Sequence, residues 1–135
     1  MEYKDITVRV YVTGEAQAKE ITPASGTHAG EQTTVLNFRA VEPKYKKYPD
    51  GKRERQEGIF YSVRYFELNA KEMAEFIKDG MLLEVKGSFY EREYTTQEGE
   101  KRSDNVINAR KISLPLEQSG IESIVFEKRE TKKAG

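Results

Sequence analysis

Aromatic and cationic side chains alternate along one short stretch, residues 59 to 66. At the two-residue period of a β-strand, successive side chains point to opposite faces. One face is apolar enough to be core and carries Ile59, Tyr61, Val63 and Tyr65. The opposite face has two phenylalanine rings with a cation between them, in the order Phe60, Ser62, Arg64 and Phe66. Flat rings beside a cation suit a surface that stacks planar groups and contacts anions.

The same combination recurs at two other places. A second aromatic–cation–aromatic run lies at the end of the next long predicted strand, at Tyr90, Arg92 and Tyr94. The third place is a basic connection over residues 44 to 55, which has six cations and two anions and therefore a net charge of +4. The residues in this connection that we expect to contact a ligand are Tyr45, Lys46, Lys47, Tyr48, Lys52 and Arg53. Stacking rings and phosphate-neutralising cations together predict binding to single-stranded nucleic acid, whose bases are free to stack.

Each of these features also has a simpler interpretation. Outward aromatic residues on strands form cross-strand pairs or subunit interfaces as readily as binding sites. A basic hairpin is more often a solvated turn than a ligand site. The coincidence of all three features on one predicted fold favours binding over these alternatives.

Alternating apolar residues predict the strands that must position these side chains. The first strand buries Val8, Val10 and Val12 and ends at Gly14, and residues 15 to 32, which include the lone His28, are predicted to be a loop. The second strand is predicted over residues 33–41 and the fourth over residues 81–94. The third strand is predicted to begin at residue 59, and the fifth to end at residue 114. In the last strand the apolar positions change phase between residues 109 and 112, which predicts a β-bulge.

A short helix is predicted between the third and fourth strands. Asn69 stands at the N-cap with Glu72 three residues on, as in a capping box, and Leu68 is placed to form a hydrophobic staple with Met73. Gly80 stands where we expect the helix to end. The apolar stripe predicted to join the core is Met73, Phe76 and Ile77.

This order of elements predicts the all-β oligonucleotide/oligosaccharide-binding (OB) fold. That fold is a five-stranded barrel, here read as antiparallel, in which one sheet face and two loops bind the ligand. Residues 1–115 are predicted to form this domain, which Pro115 closes. Residues 116–135 are predicted to be a short flexible tail with one apolar island, Ile121 to Phe126, and a basic end.

Composition narrows the function further. The chain of 135 residues has 23 basic and 23 acidic side chains, so net charge argues neither for nor against nucleic acid. It has no cysteine and one histidine, and its four aspartates are predicted in turns and ends, so we expect no enzyme, no metal site and no cofactor. The lack of a signal peptide and of an apolar run of about 20 residues predicts a cytoplasmic protein with no membrane partner.

The sequence resembles the bacterial single-stranded DNA-binding protein family from residue 5 to about residue 114. The blocks that carry the resemblance are residues 63–70, 76–80 and 83–87, together with 36–38 in the second strand and 97–99 in the last hairpin turn. The resemblance implies that Phe66 matches a DNA-stacking phenylalanine. Phe60 and Tyr94 fall where the family has stacking tryptophans, and a third tryptophan aligns within a residue of Tyr45. This chain has no tryptophan, so smaller rings would do the stacking.

The resemblance also implies partners. Family members are usually homotetramers with twofold symmetry, which implies a homo-oligomer, tetramer or dimer, with Arg9 and Tyr11 of the first strand in its interface. Members normally end in an acidic tip that recruits replication and repair enzymes, whereas residues 127–135 here are short and basic. This ending fits a mobile-element, phage or accessory member, with replication or recombination proteins as candidate partners.

Two functions follow as hypotheses. The first is sequence-tolerant binding of single-stranded DNA, which coats and protects it during replication, recombination or transfer, with RNA as a variant ligand. The alternative is an OB-fold replication or primosomal accessory module whose sheet face mainly contacts another protein.

Overall fold

The chain folds into a closed five-stranded barrel with one short helix. The computed structural model describes residues 3–22, 24 and 29–127, so His28 and the basic end of the tail lie outside the described residues. The elements are β1 (Lys4–Ile21), β2 (Thr33–Lys47), β3 (Arg53–Tyr65), α1 (Ala70–Phe76), β4 (Leu82–Thr95) and β5 (Lys101–Ser113). The barrel closes in the order β1-β2-β3-β5-β4. The predicted OB-fold, with its helix between the third and fourth strands, is therefore confirmed.

One strand pair departs from the prediction of an antiparallel barrel. β3 and β5 run parallel, with Ser62 opposite Val106 and Arg64 opposite Asn108, while the other four pairs are antiparallel. This pair closes the barrel. Among the described residues, no helix is long and apolar enough to cross a lipid bilayer.

The core is formed by the inward face of every strand. The predicted division of residues 59–66 is confirmed, since Tyr61, Val63 and Tyr65 are buried in the core and Phe60 is exposed. Burying these side chains drives folding because it removes apolar surface from water. The other strand residues of the core are Val8, Val10, Val12, Leu36, Phe38, Ala40, Leu83, Val85, Ile107 and Ala109.

β1 is longer than predicted because Gly14 bends the strand without ending it. Gly14 has φ of +85°, a conformation that glycine adopts without strain, and its N–H donates to Asp79 Oδ1 at 2.7 Å. The register with β2 shifts between Thr13 and Gln17, which marks a bulge at this point. The bend lets one strand pair with β4 through its first half and with β2 through its second. The predicted loop at residues 15–21 is therefore wrong.

The helix packs differently from the prediction. Asn69 makes no capping bond, because its Oδ1 accepts a hydrogen bond from the Tyr65 hydroxyl at 3.1 Å. Leu68 is fully exposed, so the predicted staple is absent, and Phe76 is 69% exposed, so its assignment to the core is wrong. The helix ends at Phe76, before Gly80. The stripe that packs inward is Ala70, Met73, Ala74 and Ile77.

Two irregularities shape the strands that carry the outer face. Lys86 pairs with Lys111 and Gly87 pairs with Ala109, which leaves Arg110 as the extra residue and confirms the predicted bulge in β5. A Cβ on Gly87 would lie 2.2 Å from the Asn108 carbonyl oxygen, so only glycine fits there. β2 and β3 both extend into the predicted basic connection, which is therefore mostly a β-hairpin.

Candidate nucleic-acid interface

The strand register brings the outward side chains of four strands onto one surface. We define the outer face as Phe60, Ser62 and Arg64 of β3 and Phe66, which directly follows β3, together with the outward residues of β2, β5 and β4 beside them. Ser62 lies opposite Arg39 of β2 and Val106 of β5, and Val106 in turn lies opposite Tyr90 of β4. The first and second sequence features therefore share one face of the barrel.

Three of the rings singled out by the family resemblance lie near the outer face and outside the core. Phe60 is 47% exposed and Tyr94 is 44% exposed. Phe66 is half-buried, and the guanidinium carbon of Arg64 lies 5.1 Å from its ring centroid, a cation–π contact. All three rings leave part of their surface open to solvent, as a stacking role requires. That role itself stays a prediction.

Tyr90 is an exception among the predicted site residues. It lies on the outer face as predicted, but its side chain is only 8% exposed. The ring of Tyr3 packs against it, with centroids 5.1 Å apart and an interplanar angle of 56°. The expectation that Tyr90 is a free stacking ring is therefore wrong, because the N-terminal segment covers it.

A groove crosses the outer face and is lined by more arginines than the sequence analysis assigned. It has a volume of about 560 Å³, and Lys19, Arg39, Arg64 and Arg92 line it. The two of these that the sequence analysis identified are Arg64 and Arg92. Arg39 was missed although it occupies an outward position on a strand whose inward residues are apolar, and that position is the signal that could have identified it.

Asp104 links two of the groove arginines. Its Oδ1 lies 3.8 Å from Arg39 Nη1, and its Oδ2 lies 3.5 Å from Arg92 Nη2. The hydroxyl of Ser62 donates to Asp104 Oδ2 at 3.0 Å and accepts a hydrogen bond from Arg39 Nη1 at 3.1 Å. The expectation that every aspartate lies in a turn or at an end is wrong for Asp104, which lies within β5 opposite Arg92.

The basic connection forms a hairpin whose tip projects from the barrel. The Tyr48 hydroxyl donates to Glu54, which raises the pKa of that phenol, and Lys46 Nζ lies 5.3 Å from the Tyr48 ring centroid. One face of Tyr48 is therefore already occupied. Tyr45 is 54% exposed. Among the residues that the structure describes, the exposed hairpin cations form no ion pair with a carboxylate; they are Lys46, Lys47, Lys52 and Arg53.

The base of this hairpin holds a different kind of contact. The Tyr61 hydroxyl donates to Glu42 Oε1 at 3.2 Å, and Lys44 Nζ lies 3.4 Å from the same oxygen. Burial, with a smaller contribution from the nearby Glu42 carboxylate, raises the pKa of Tyr61 to about 12. The ionised carboxylate thus stabilises the neutral phenol and ties β2 to β3 where the hairpin leaves the barrel.

Within the described part of the chain, no three histidine, cysteine, aspartate or glutamate side chains are grouped so that they could hold a metal ion. The outer face and its groove offer rings, guanidinium groups, the amino group of Lys19 and the carboxylates of Glu15 and Asp104. Such a surface is suited to binding a ligand that is both aromatic and anionic.

Sequence comparison identifies a protein family and a relative that this chain resembles. The model of the single-strand binding protein family matches residues 27–115. A single-stranded DNA-binding protein of Corynebacterium glutamicum is 34% identical over 83 residues, which are 61% of this chain and 37% of that protein. The match therefore spans little more than a third of the relative's length.

Structural comparison finds the same architecture in distant proteins. The small single-stranded DNA-binding protein from Streptomyces coelicolor is similar with a TM-score of 0.69 and 16% identity, covering 86% of this chain and 97% of that one. The Plasmodium falciparum SSB in complex with ssDNA is similar with a TM-score of 0.53 and 14% identity, covering 81% of this chain and 90% of that one. At these identities the likeness shows the fold alone.

Proposed function

The chain belongs to the single-strand binding protein family, and we propose that it binds single-stranded DNA with little regard to sequence, coating it during replication, recombination or transfer. The observation that carries this proposal is the outer face, where Phe60 and Tyr94 expose their rings beside a groove lined by arginines. In this proposal the outer face contacts the bases and phosphates of the DNA and does not break or form a covalent bond in it.

The proposed binding has two physical components. Stacking of a base on an aromatic side chain contributes about 1–3 kcal/mol and tolerates any base, because every base has a π-face. Contacts between phosphates and the groove cations Lys19, Arg39, Arg64 and Arg92 release counterions and weaken as salt rises. The stacking component favours a single strand over a duplex, because the bases of a duplex are already stacked on one another.

The chain offers a matched pair of exposed phenylalanines with which to test the proposal. Phe60 lies on the outer face and is 47% exposed, whereas Phe76 lies on α1 and is 69% exposed. Fluorescence anisotropy should show tight binding of a labelled oligothymidylate, and Phe60→Ala should weaken it by about 5- to 150-fold at both low and high salt. Phe76→Ala should leave the affinity unchanged. Equal losses in the two variants would contradict the assignment of the outer face.

A duplex and an RNA oligomer of the same length complete the experiment. We expect the single-stranded DNA to bind more tightly than the duplex, and the RNA measurement decides whether the same face accepts a ribose backbone. Binding that is micromolar or weaker to all three ligands would favour the second candidate, an OB-fold module that binds protein. The exposed rings of Phe60 and Tyr94 on the outer face would equally suit a protein partner of this second candidate. Further exposed apolar residues lie outside that face, at Phe76, Leu116, Val125 and Phe126.

The proposed assembly is a twofold-symmetric homo-oligomer that uses the outward side of β1. Tyr11 is 42% exposed there, while Arg9 forms an ion pair with Glu117 at 2.7 Å. The same C-terminal segment is tied to the barrel by Gln118, whose side-chain amide exchanges hydrogen bonds with the backbone N–H and C=O of Leu82. Light scattering should give the mass of a dimer or tetramer, and Tyr11→Glu should lower that mass. A monomeric wild-type protein would contradict this part of the proposal.

A further inference from the structure

Asp104 is a carboxylate in the middle of a surface that is proposed to bind an anion. Its side chain is only 14% exposed, and it lies between Arg39 of β2 and Arg92 of β4. Glu15 also lines the groove, but Asp104 is the carboxylate that lies against two of its arginines, and there it reduces the positive potential. Its presence therefore needs a physical explanation beyond the stability of the sheet.

The contacts of Asp104 favour a role towards the neighbouring arginines over a role in reading bases. An aspartate that recognises a base must offer a free carboxylate oxygen to an exocyclic amino group. Here Oδ2 accepts a hydrogen bond from the Ser62 hydroxyl at 3.0 Å and also faces Arg92, while Oδ1 faces Arg39. Oδ2 is hydrogen-bonded, Oδ1 faces a guanidinium group, and little of the side chain is open to solvent. Asp104 therefore acts mainly on the two arginines.

The two arginines remain available to a ligand. Their side chains are 57% and 54% exposed for Arg39 and Arg92, and their closest nitrogens lie 3.8 and 3.5 Å from the carboxylate. A charge-assisted N–H···O hydrogen bond is shorter, about 2.7–2.9 Å. The guanidinium groups are thus held near Asp104 without being fixed to it, and each keeps N–H groups that can turn towards a phosphate.

On this basis we propose that Asp104 is a built-in competitor of the DNA phosphates for Arg39 and Arg92, and that it limits the affinity of the groove for single-stranded DNA. This inference rests on the proposed function. Before DNA binds, the carboxylate occupies the place between the two arginines where a phosphate oxygen would lie. DNA must then share or displace these contacts. The binding free energy is therefore smaller than two free arginines would give, and the strand is released more easily.

The test is the variant Asp104→Asn, which keeps the shape of the side chain and removes its charge. Anisotropy with labelled oligothymidylate should show tighter binding than the wild type at 50 mM salt. One phosphate contact on a single strand contributes about 0.7 to the slope of log affinity against log salt. The slope should therefore steepen by about 0.7, and the advantage of the variant should shrink about threefold between 50 and 200 mM salt.

A matched charge control separates the groove from the rest of the molecule. Glu75→Gln removes one negative charge from an exposed position on α1. We expect this control to match the wild type in both affinity and salt slope. If Glu75→Gln raises the affinity as much as Asp104→Asn does, net charge alone explains the effect and the competitor role is overturned.

A double-mutant cycle tests whether Asp104 acts through the arginines. In an Arg39→Gln, Arg92→Gln background, Asp104→Asn should no longer raise the affinity, because the groups that it frees are gone. An undiminished gain in that background would overturn the assignment. So would weaker binding by Asp104→Asn with an unchanged melting temperature, since Asp104 would then hold the arginines in a productive geometry.

The outcome also distinguishes this inference from the proposed function. If the wild type binds oligothymidylate but Asp104→Asn binds with the same affinity and slope, only the competitor role fails. If neither protein binds at either salt concentration, the proposed function and the competitor role both fail.

Discussion

The two hairpins that border the outer face have opposite electrostatic character. The β2–β3 hairpin (residues 44–55) has a net charge of +4, whereas the β4–β5 hairpin (residues 91–104) has three cations and five anions and so a net charge of −2. In the first, Lys46, Lys47 and Lys52 are exposed, and none of them forms an ion pair with a described carboxylate. In the second, Arg92 lies beside Asp104, and Tyr94 exposes its ring.

This difference indicates that the hairpins contribute different kinds of binding energy. Exposed, unneutralised cations attract a polyanion over a range set by the Debye length, about 10 Å at 0.1 M salt, so their effect falls as salt rises. A ring beside a neutralised arginine contributes stacking, which depends little on salt. We therefore expect the β2–β3 hairpin to add to the salt dependence that the groove cations give, and the ring of the β4–β5 hairpin to add affinity that persists at high salt.

The largest effect should come from Tyr94→Ala in the β4–β5 hairpin. Loss of one stacking ring should weaken the binding of oligothymidylate by about 5- to 150-fold, because a stacked base contributes about 1–3 kcal/mol. Affinities measured by anisotropy at several salt concentrations should fall by the same factor throughout. Tyr94→Phe, which keeps the ring, should bind like the wild type. A changed salt slope in Tyr94→Ala would contradict the division between the hairpins.

Most of the fold followed from local patterns in the sequence. Period-two alternation places Tyr61, Val63 and Tyr65 in the core, and a single phase change locates the bulge at Arg110. Local patterns could not reveal the effect of contacts between residues that are far apart in the sequence. Gly14 does not end β1 because Asp79, 65 residues away, binds its N–H and supports the bend. Phe76 is exposed because α1 ends there and its inward stripe runs through Ala70 and Ala74 instead.

The candidate site was predictable where it depends on one strand and not where it depends on several. The placement of Phe60 and Arg64 on one face follows from their spacing alone. The cluster of Arg39, Asp104 and Arg92 does not, because it joins β2, β5 and β4 through a register that one sequence does not reveal. The burial of Tyr90 was not predicted for the same reason, since the ring that covers it belongs to Tyr3, which precedes β1 and is far from Tyr90 in the sequence.

A smaller effect, confined to low salt, should follow from the double variant Lys46→Ala, Lys47→Ala in the β2–β3 hairpin. Two lost phosphate contacts should reduce the slope of log affinity against log salt by about 1.4. The loss of affinity should therefore be about sevenfold greater at 50 mM than at 200 mM salt. The matched control is Lys71→Ala, Lys78→Ala, which removes two exposed lysines near α1 and should leave the slope unchanged. Equal slopes for the two double variants would refute the phosphate assignment.

The smallest effect concerns the base of the β2–β3 hairpin and should appear in stability, not in binding. At neutral pH, Tyr61→Phe removes the hydrogen bond to Glu42, which is worth about 1 kcal/mol, and should leave DNA affinity within about twofold. The pKa of Tyr61 is raised from 10.0 to about 12 in the folded protein, so between these values the folded chain keeps a proton that the unfolded chain has lost. This contribution to stability is complete below pH 10.0 and is lost as the pH rises towards about 12. Urea unfolding at several pH values should therefore show the wild type losing its advantage over Tyr61→Phe across that window. An advantage that stays constant with pH would mean that the phenol is not stabilised in its neutral form. A large loss of DNA affinity in Tyr61→Phe would show that binding requires a rigidly held hairpin, and that the contribution of the hairpin is more than electrostatic.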